Sequence, residues 1–121
     1  MRGRFFVSLS VLAAALFLPA VVHADRAPTA KQHRQIAKVL QLPPRCAAVR
    51  ISTVTKKPKW GSVSWRPGGA KCKPFAANGV ALVKKSNGHW RFITAGSSFD
   101  CGPLYKVVPL AVVQDLGISC I

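Results

Sequence analysis

The fold is decided by the segment Gly79-Val-Ala-Leu-Val-Lys-Lys-Ser-Asn-Gly-His-Trp-Arg-Phe-Ile-Thr-Ala95. Two largely apolar stretches flank the dipeptide Asn87-Gly88, which is favoured in two-residue hairpin turns because both of its residues tolerate a positive φ. The segment therefore predicts an antiparallel hairpin. The turn fixes a register that pairs Val83 with Phe92, Leu82 with Ile93, and Lys85 with Trp90.

The same register places two like charges opposite each other, Lys84 and Arg91. A like-charge pair across two strands costs from a few tenths of a kcal/mol to about 1 kcal/mol. Two interpretations remain open at this point. The pair lies on a solvated hairpin tip where water and salt screen the repulsion, or it marks a site that waits for an anion.

Two strands are predicted upstream of the hairpin. The segment from Cys46 to Val54 alternates as a strand does, and its core-facing residues are predicted to be Ala47, Val49, Ile51 and Thr53. A basic turn, Lys56-Lys57-Pro58-Lys59, leads into a second strand from Trp60 to Arg66. Because side chains alternate along a strand, Trp60 and Trp65 point to opposite faces. Trp65 is the better core candidate, which leaves Trp60 beside the lysines on a wetter surface.

A helix is predicted before these strands. Thr29 can cap a helix that runs to about Leu40 and ends before Pro43-Pro44. Its apolar stripe consists of Ile36, Val39 and Leu40. His33 borders this stripe, and we interpret it as a packed or solvated side chain of the helix flank rather than as a catalytic group.

A second helix is predicted near the C-terminus. A short loop follows Cys101, and Pro109 then occupies the first turn of a helix that ends at Gly117. Its buried stripe is predicted to be Leu110, Val113 and Leu116. The elements together predict an α+β domain in which an N-terminal helix packs on a curved antiparallel sheet of three or four strands. By analogy, this arrangement resembles a cystatin-like or NTF2-like roll with a short C-terminal helix.

The first 24 residues have the pattern of a secretory signal peptide. Arg2 and Arg4 precede an apolar run from Phe5 to Leu18, and Val22-His23-Ala24 is a small-x-small cleavage pattern. A membrane anchor is the competing interpretation, but the core from Phe5 to Val22 contains Pro19 and lies between a basic start and a cleavage site. We therefore expect a secreted, extracellular domain of residues 25–121.

The expected mature domain is strongly basic. The whole chain carries 18 Lys and Arg, 3 Asp and Glu, and a formal net charge of +15. Loss of Arg2 and Arg4 leaves a formal charge of +13, and the three acids are all aspartates. Such a charge raises the local concentration of any polyanion.

All four cysteines lie in the expected mature domain: Cys46, Cys72, Cys101 and Cys120. An even number in an exported domain indicates two disulfides, for which three pairings are possible. A zinc site is the alternative, but zinc ligands usually come in pairs two to four residues apart, and here the cysteines are separated by 26, 29 and 19 positions. Each bridge is expected to stabilise the fold by roughly 3 kcal/mol through loop closure.

The C-terminal part resembles a known group of sequences. The residues that carry this likeness are Val80 to Lys85, Asn87-Gly88-His89-Trp90, Gly96-Ser97-Ser98, Cys101, Val108-Pro109-Leu110, and Asp115-Leu116-Gly117-Ile118-Ser119-Cys120. They resemble the C-terminal signature of small secreted actinobacterial proteins, most of which are uncharacterised. The resemblance implies that Cys101 pairs with Cys120 and Cys46 with Cys72. It implies no activity.

The sequence offers weak support for catalysis. Of the three aspartates, Asp100 and Asp115 are more simply interpreted as turn and helix-surface residues than as an acid and base pair. A triad of Ser97 or Ser98 with His89 and Asp100 has no supporting nucleophile motif. A ribonuclease-like pair, His33 and His89, would place one histidine at an exposed hairpin tip. We therefore expect a non-enzymatic domain without a cofactor.

Three binding functions remain open. The first is a secreted domain that binds a ligand or protein partner with its loops and one sheet face. The second is a cationic binder of anionic cell-envelope polymers, nucleic acid or anionic lipid surfaces; the equal alternative is that the charge serves only solubility. Its candidate residues are Lys56, Lys57, Lys59, Trp60, Arg66, Lys71, Lys73, Lys84 and Arg91. The third is a protease inhibitor that presents the loop from Pro67 to Asn78. Clustering of the lysines would favour the second.

Overall fold

The computed structural model describes residues 25–121, so the signal peptide predicted at residues 1–24 lies outside the described residues. Three helices and four strands follow one another in the order α1, β1 to β4, α2 and α3. Their bounds are α1 Ala30–Val39, β1 Ala47–Ile51, β2 Lys59–Trp65, β3 Val80–Ser86, β4 His89–Gly96, α2 Cys101–Val107 and α3 Leu110–Asp115. Two short 3₁₀ helices, Pro44–Cys46 and Ala70–Phe75, lie in the connections.

The four strands form one antiparallel sheet in the order β1-β2-β3-β4. Each strand pairs with its neighbours in the chain, which is the simplest topology because every connection returns to an adjacent strand. Together with the helices at both ends of the described chain and two disulfides, this sheet confirms the predicted α+β class.

The β3-β4 hairpin follows the predicted turn. Asn87 and Gly88 both have positive φ, 52° and 79°, as a type I′ turn requires. The structure confirms that Val83 pairs with Phe92 and Lys85 with Trp90, but the predicted partner of Leu82 is wrong. The register shifts between Leu82 and Val83, so Leu82 lies opposite Thr94. A bulge of this kind inserts one extra residue, here Ile93, that turn geometry alone does not reveal.

Helix α1 begins as predicted. The Thr29 side chain accepts a hydrogen bond from the Gln32 backbone N–H (3.1 Å), and the Gln32 side-chain oxygen accepts one from the Thr29 backbone N–H (3.0 Å). This reciprocal arrangement is a capping box, which satisfies two backbone donors at the start of the helix. Ile36 is fully buried, whereas Val39 and Leu40 are half-buried at the edge of the core.

Helices cover both faces of the sheet. Neighbouring β3 residues Leu82 and Val83 belong to different buried clusters, because successive side chains of a strand point to opposite faces. The first cluster packs under α1 and contains Ile36, Ala37, Ala47, Val49, Ile51, Val63, Val83 and Trp90. The second packs under α2 and α3 and contains Trp60, Leu82, Leu104, Val108, Val112, Val113 and Leu116.

The second cluster corrects the prediction for the tryptophans. The two side chains do belong to opposite faces, but Trp60 is the one in the core, with 2% of its surface exposed. Trp65 is half-buried, and its indole N–H donates to the backbone oxygen of Cys72 (3.1 Å). The prediction was wrong because it treated the Trp60 face as open, whereas α2 and α3 cover it.

The C-terminal helices differ from the prediction in two further respects. The segment after Cys101 is helix α2 rather than a loop, and its Gly102 and Pro103 lie in the first turn, where a missing proline N–H breaks no helical hydrogen bond. In α3 the buried side includes Val112 and Val113, while Leu110 is 48% exposed. Leu110 begins the helix and points away from the sheet.

Two polar residues, Thr53 after β1 and Asp115 at the end of α3, also depart from the prediction. Thr53, predicted to face the core, follows the end of β1 and is exposed. Asp115, predicted to lie on a helix surface, is only 5% exposed. Its Oδ2 accepts hydrogen bonds from the Ser52 hydroxyl (2.8 Å) and the Thr53 backbone N–H (2.7 Å). Ser52 projects from the sheet face that α3 covers, so the carboxylate links α3 to β1.

The two disulfides join Cys46 to Cys72 and Cys101 to Cys120, which confirms the pairing that the resemblance implied. The first attaches the segment after β2 to the start of β1. The second attaches the last residues to the start of α2, where the Cys101 N–H also donates to the Ile121 oxygen (3.1 Å). Each bridge therefore restrains a connection or a terminus rather than the sheet itself.

Candidate functional site

Two connections meet at one end of the sheet. The β1-β2 loop and the β3-β4 turn lie at the same end, because β1 and β3 run in the same direction in this antiparallel order. Between them lies a groove of about 700 Å³. Its lining residues are Lys56, Lys57, Pro58, Lys59, Lys85, Ser86, Asn87 and Gly88. We call it the lysine groove, after Lys56, Lys57, Lys59 and Lys85.

Sheet pairing places Lys59 directly opposite Lys85. Directly opposed side chains share a face, and their Cβ atoms lie about 5 Å apart, so both ammonium groups project from the same face of the sheet. Both residues are half-buried, whereas Lys56 and Lys57 are exposed. The groove thus has two lysines on adjacent strands of the sheet and two further lysines on the loop.

The β1-β2 loop, which carries Lys56 and Lys57, is internally bonded. The Thr55 hydroxyl donates to the backbone oxygen of Pro58 (2.8 Å), which closes the loop on itself. Its root is held by the bond between Asp115 and the Thr53 N–H, and the Ser52 N–H donates to the Trp60 oxygen (2.9 Å). These bonds restrict where Lys56 and Lys57 can project.

A second groove lies on the other side of the same loop. It has a volume of about 510 Å³ and is lined by Arg26, Ser52, Thr53, Thr55, Lys56, Lys57 and Lys59. The backbone of Arg26 pairs with that of Ile51, and both of its hydrogen bonds measure 2.9 Å. Lys56, Lys57 and Lys59 therefore border both grooves.

Further positive charge lies on the opposite face of this end of the sheet. The structure confirms that Lys84 pairs with Arg91. The Lys84 ammonium lies 5.3 Å from the centre of the Trp60 ring, and Lys84 and Trp60 are opposed across β2 and β3. A cation–π contact at a partly exposed site contributes about 0.5–1 kcal/mol, similar in size to the repulsion from Arg91.

The aspartates among the described residues either form bonds with other residues or lie away from the lysine groove. Asp25 forms an ion pair with Arg50 (2.7 Å), and this hydrogen bond raises the pKa of the Arg50 guanidinium above its ordinary value. Asp115 is bonded to Ser52 and Thr53, and Asp100 precedes α2. Within residues 25–121, no ion pair joins a lysine of the groove to a carboxylate.

The structure divides the candidate anion-binding residues into two groups. Arg66, Lys71 and Lys73 lie at the far end of the sheet, near the Cys46–Cys72 bridge. Lys59 begins β2 and Arg66 directly follows it, so the two residues are seven positions apart, or about 23 Å at the usual rise per residue. Trp60 lies near the lysines, but its burial removes it as a stacking surface.

Lys85 is the member of the groove that sequence reasoning missed. The hairpin register correctly placed Lys85 opposite Trp90 on β4. This register does not identify the residue that lies opposite Lys85 on β2. The Lys59–Lys85 pairing depends on how β2 and β3 align across the long connection between them, and no turn motif fixes that alignment.

The histidines that were considered for catalysis lie in separate elements. His33 projects from α1, where Nε2 lies 2.6 Å from the backbone oxygen of Pro44, and His89 is exposed beside the β3-β4 turn. Among residues 25–121, no group of three or more His, Cys, Asp or Glu is placed to hold a metal ion. In the same range, none of the helices has the length and hydrophobicity needed to span a bilayer.

A third, largely apolar groove lies on the first face of the sheet, beyond the end of α1. It has a volume of about 210 Å³, and its lining includes Leu40, Leu42, Trp65, Phe75 and Phe92. Phe92 is 52% exposed. This surface could contact an apolar ligand or a protein partner.

Comparison of the chain with protein-family models, with curated proteins and with solved structures finds no match. The class that the fold and the site define is a small α+β domain with two disulfides and a lysine-lined groove at one end of its sheet.

Proposed function

We propose that the protein is a secreted, non-enzymatic domain that binds anionic polymers, of the cell envelope or nucleic acid, through the lysine groove. The observation that carries the proposal is that the β1-β2 loop and the paired strands β2 and β3 bring Lys56, Lys57, Lys59 and Lys85 to one groove, without a carboxylate partner among the described residues. Like charges held together in this way are unfavourable in the free protein, and an anion would relieve the repulsion.

A polymer gains more from such a site than a single ion does. Each lysine that contacts a polyanion displaces a condensed counterion, and the release of these counterions drives binding at low salt. The overall charge of the domain adds a longer-range field that steers a polyanion towards it. The groove supplies the fixed geometry, and the surrounding charge supplies the attraction.

Three features support secretion. The N-terminal segment has the composition of a signal peptide, the C-terminal part resembles secreted actinobacterial proteins, and two disulfides are typical of proteins from oxidising compartments. A domain of this size also benefits from crosslinks, because its core is small.

The proposal predicts a localised salt effect. We expect the triple substitution Lys56→Gln, Lys57→Gln and Lys59→Gln to make the plot of log K against log salt shallower by about 2, at roughly 0.7 per lysine for a single strand. The measurement is binding of the oxidised protein to single-stranded DNA and to heparin across a salt series.

The matched control is Arg66→Gln, Lys71→Gln and Lys73→Gln, which removes the same charge from the far end of the sheet. It is expected to change the slope less than half as much. Equal effects of the two triple variants would mean that the net charge, and not the groove, determines binding. That result would refute the proposed site.

The apolar groove supports a second candidate function, the binding of a ligand or protein partner. The exposed Phe92 and the neighbouring Phe75 form its rim. The protease-inhibitor hypothesis stays a prediction. The segment on which it depends, Pro67 to Asn78, contains the 3₁₀ helix Ala70–Phe75 and is tied to β1 through Cys72.

A further inference from the structure

We propose that the ligand of the lysine groove is a linear, base-free chain of phosphate or sulfate groups, recognised through its charges alone. This inference rests on the proposed function and deepens it, because it states which part of a polyanion the groove recognises: the charged groups of the chain, and not the bases of a nucleic acid.

The first argument is the placement of the aromatic side chains. Proteins that bind single-stranded nucleic acid usually stack bases on exposed aromatic rings, and each stack contributes about 1–3 kcal/mol. Here the tryptophans nearest the groove are buried, Trp60 at 2% and Trp90 at 7% exposure. Among residues 25–121, neither groove beside the β1-β2 loop has an aromatic residue in its lining.

The second argument is the chemistry of the cations. An arginine presents a planar fork of donors that matches the edge of a guanine, whereas a lysine presents a compact charge on a flexible stem. The positively charged residues that line the lysine groove are all lysines. Lysine ammonium groups bind tetrahedral oxyanions through their charge, and they do not fix the orientation of the units that link one oxyanion to the next.

The third argument is the continuity of the charged surface. Lys56, Lys57 and Lys59 border both grooves, with Lys85 at one end of this track and Arg26 at the other. A chain that crosses the loop would pass five cationic side chains in succession. It must be narrow and flexible enough to enter grooves on both sides of one loop, which suits a polyol phosphate or a sulfated glycan better than a stiff duplex.

The test compares ligands that share a backbone and differ in their bases. The oxidised protein is titrated with an abasic deoxyribose-phosphate oligomer, with oligo(dT) and oligo(dA) of the same phosphate number, and with a sulfated oligosaccharide of equal charge. We expect the abasic oligomer to bind within about twofold of both oligonucleotides and with the same salt slope. If only the sulfated chain binds, the site accepts sulfate. If the sulfated chain and the abasic oligomer both bind in their separate titrations, the site accepts sulfate and phosphate.

Two single variants strengthen the comparison. Lys85→Gln is expected to weaken binding of the abasic oligomer and of oligo(dA) by the same factor, because it removes only a charge. The matched control Lys106→Gln, on the exposed surface of α2, is expected to change both much less.

Two different failures are distinguishable. If oligo(dA) or oligo(dT) binds about tenfold or more tightly than the abasic oligomer, bases are recognised and the base-free ligand is excluded, while the lysine groove remains a polyanion site. If all four ligands bind the Lys56→Gln, Lys57→Gln and Lys59→Gln variant as tightly as the wild type, the groove is not the site and the proposed function fails with the inference.

Discussion

Replacement of Trp60 by alanine is expected to lower the free energy of unfolding by about 3–5 kcal/mol, the usual cost of removing a large aromatic side chain from a core. Trp60 belongs to the cluster that joins the sheet to α2 and α3, together with Leu82, Leu104 and Val112. Its loss would leave a cavity between these elements. Urea denaturation of the oxidised protein measures the change.

Trp60→Phe provides a graded comparison. Within the described residues, the indole N–H of Trp60 is buried without a hydrogen-bond acceptor, so phenylalanine removes no favourable bond while keeping much of the apolar surface. We expect this variant to be clearly more stable than Trp60→Ala. Phe92→Ala, at a half-exposed position, is the control and is expected to cost less than about 1.5 kcal/mol, as partial burial implies. If Trp60→Ala costs no more than that, the second face of the sheet is not covered as described.

Asp115→Ala is expected to lower the free energy of unfolding by about 2–4 kcal/mol. The substitution removes the acceptor of the buried Ser52 hydroxyl, a loss that costs about 1–3 kcal/mol, and the acceptor of the Thr53 backbone N–H, a loss that costs less because Thr53 is exposed. The effect should exceed that of most surface changes, because the bonds link α3 to the end of β1. Chemical denaturation is again the measurement.

Asp100→Ala is the matched control for Asp115. Asp100 is exposed and forms no side-chain cap bond at the start of α2, so its removal is expected to change stability by less than about 0.5 kcal/mol. A cost for Asp115→Ala as small as that of the control would mean that the bridge to β1 contributes little. Because Ser52 and Thr53 lead into the β1-β2 loop, Asp115 also holds the root of the lysine groove.

Local signals in the sequence predicted the parts of the fold that local chemistry determines. The Asn87-Gly88 turn requires positive φ at both positions, and only a few residue pairs tolerate it, so the hairpin was predictable. Thr29 was likewise identifiable as the N-cap of α1. The number of disulfides followed from the cysteine count, whereas their pairing was expected only from the resemblance described in the sequence analysis.

The parts that sequence reasoning missed depend on contacts between distant segments. The burial of Trp60 arises from packing against α2 and α3, which lie much later in the chain. A hydrophobic alternation shows that a strand has two faces, but it does not show whether a later helix will cover the second one. Asp115 was misjudged for the same reason, since its partners are more than sixty residues away.

The candidate site was likewise only partly predictable from local sequence. The basic run Lys56-Lys57-Pro58-Lys59 is visible in the sequence as a charged turn, and the structure places it beside a groove. The contribution of Lys85 requires the alignment of β2 with β3, and the separation of Arg66 from this group requires the length and direction of β2. Charge in a sequence therefore predicted a polyanion binder in general terms, and the fold determines which charges can act together.

The most direct test of the lysine groove is an NMR titration of the oxidised protein, with backbone amide shifts followed as a short sulfated or phosphate oligomer is added. The largest shift changes are expected at residues 55–60 and 84–89, on the two connections that form the groove, while residues 66–75 at the far end of the sheet change much less. Uniform changes over the whole basic surface, or changes concentrated at Arg66, Lys71 and Lys73, would contradict the assignment of this groove as the binding site.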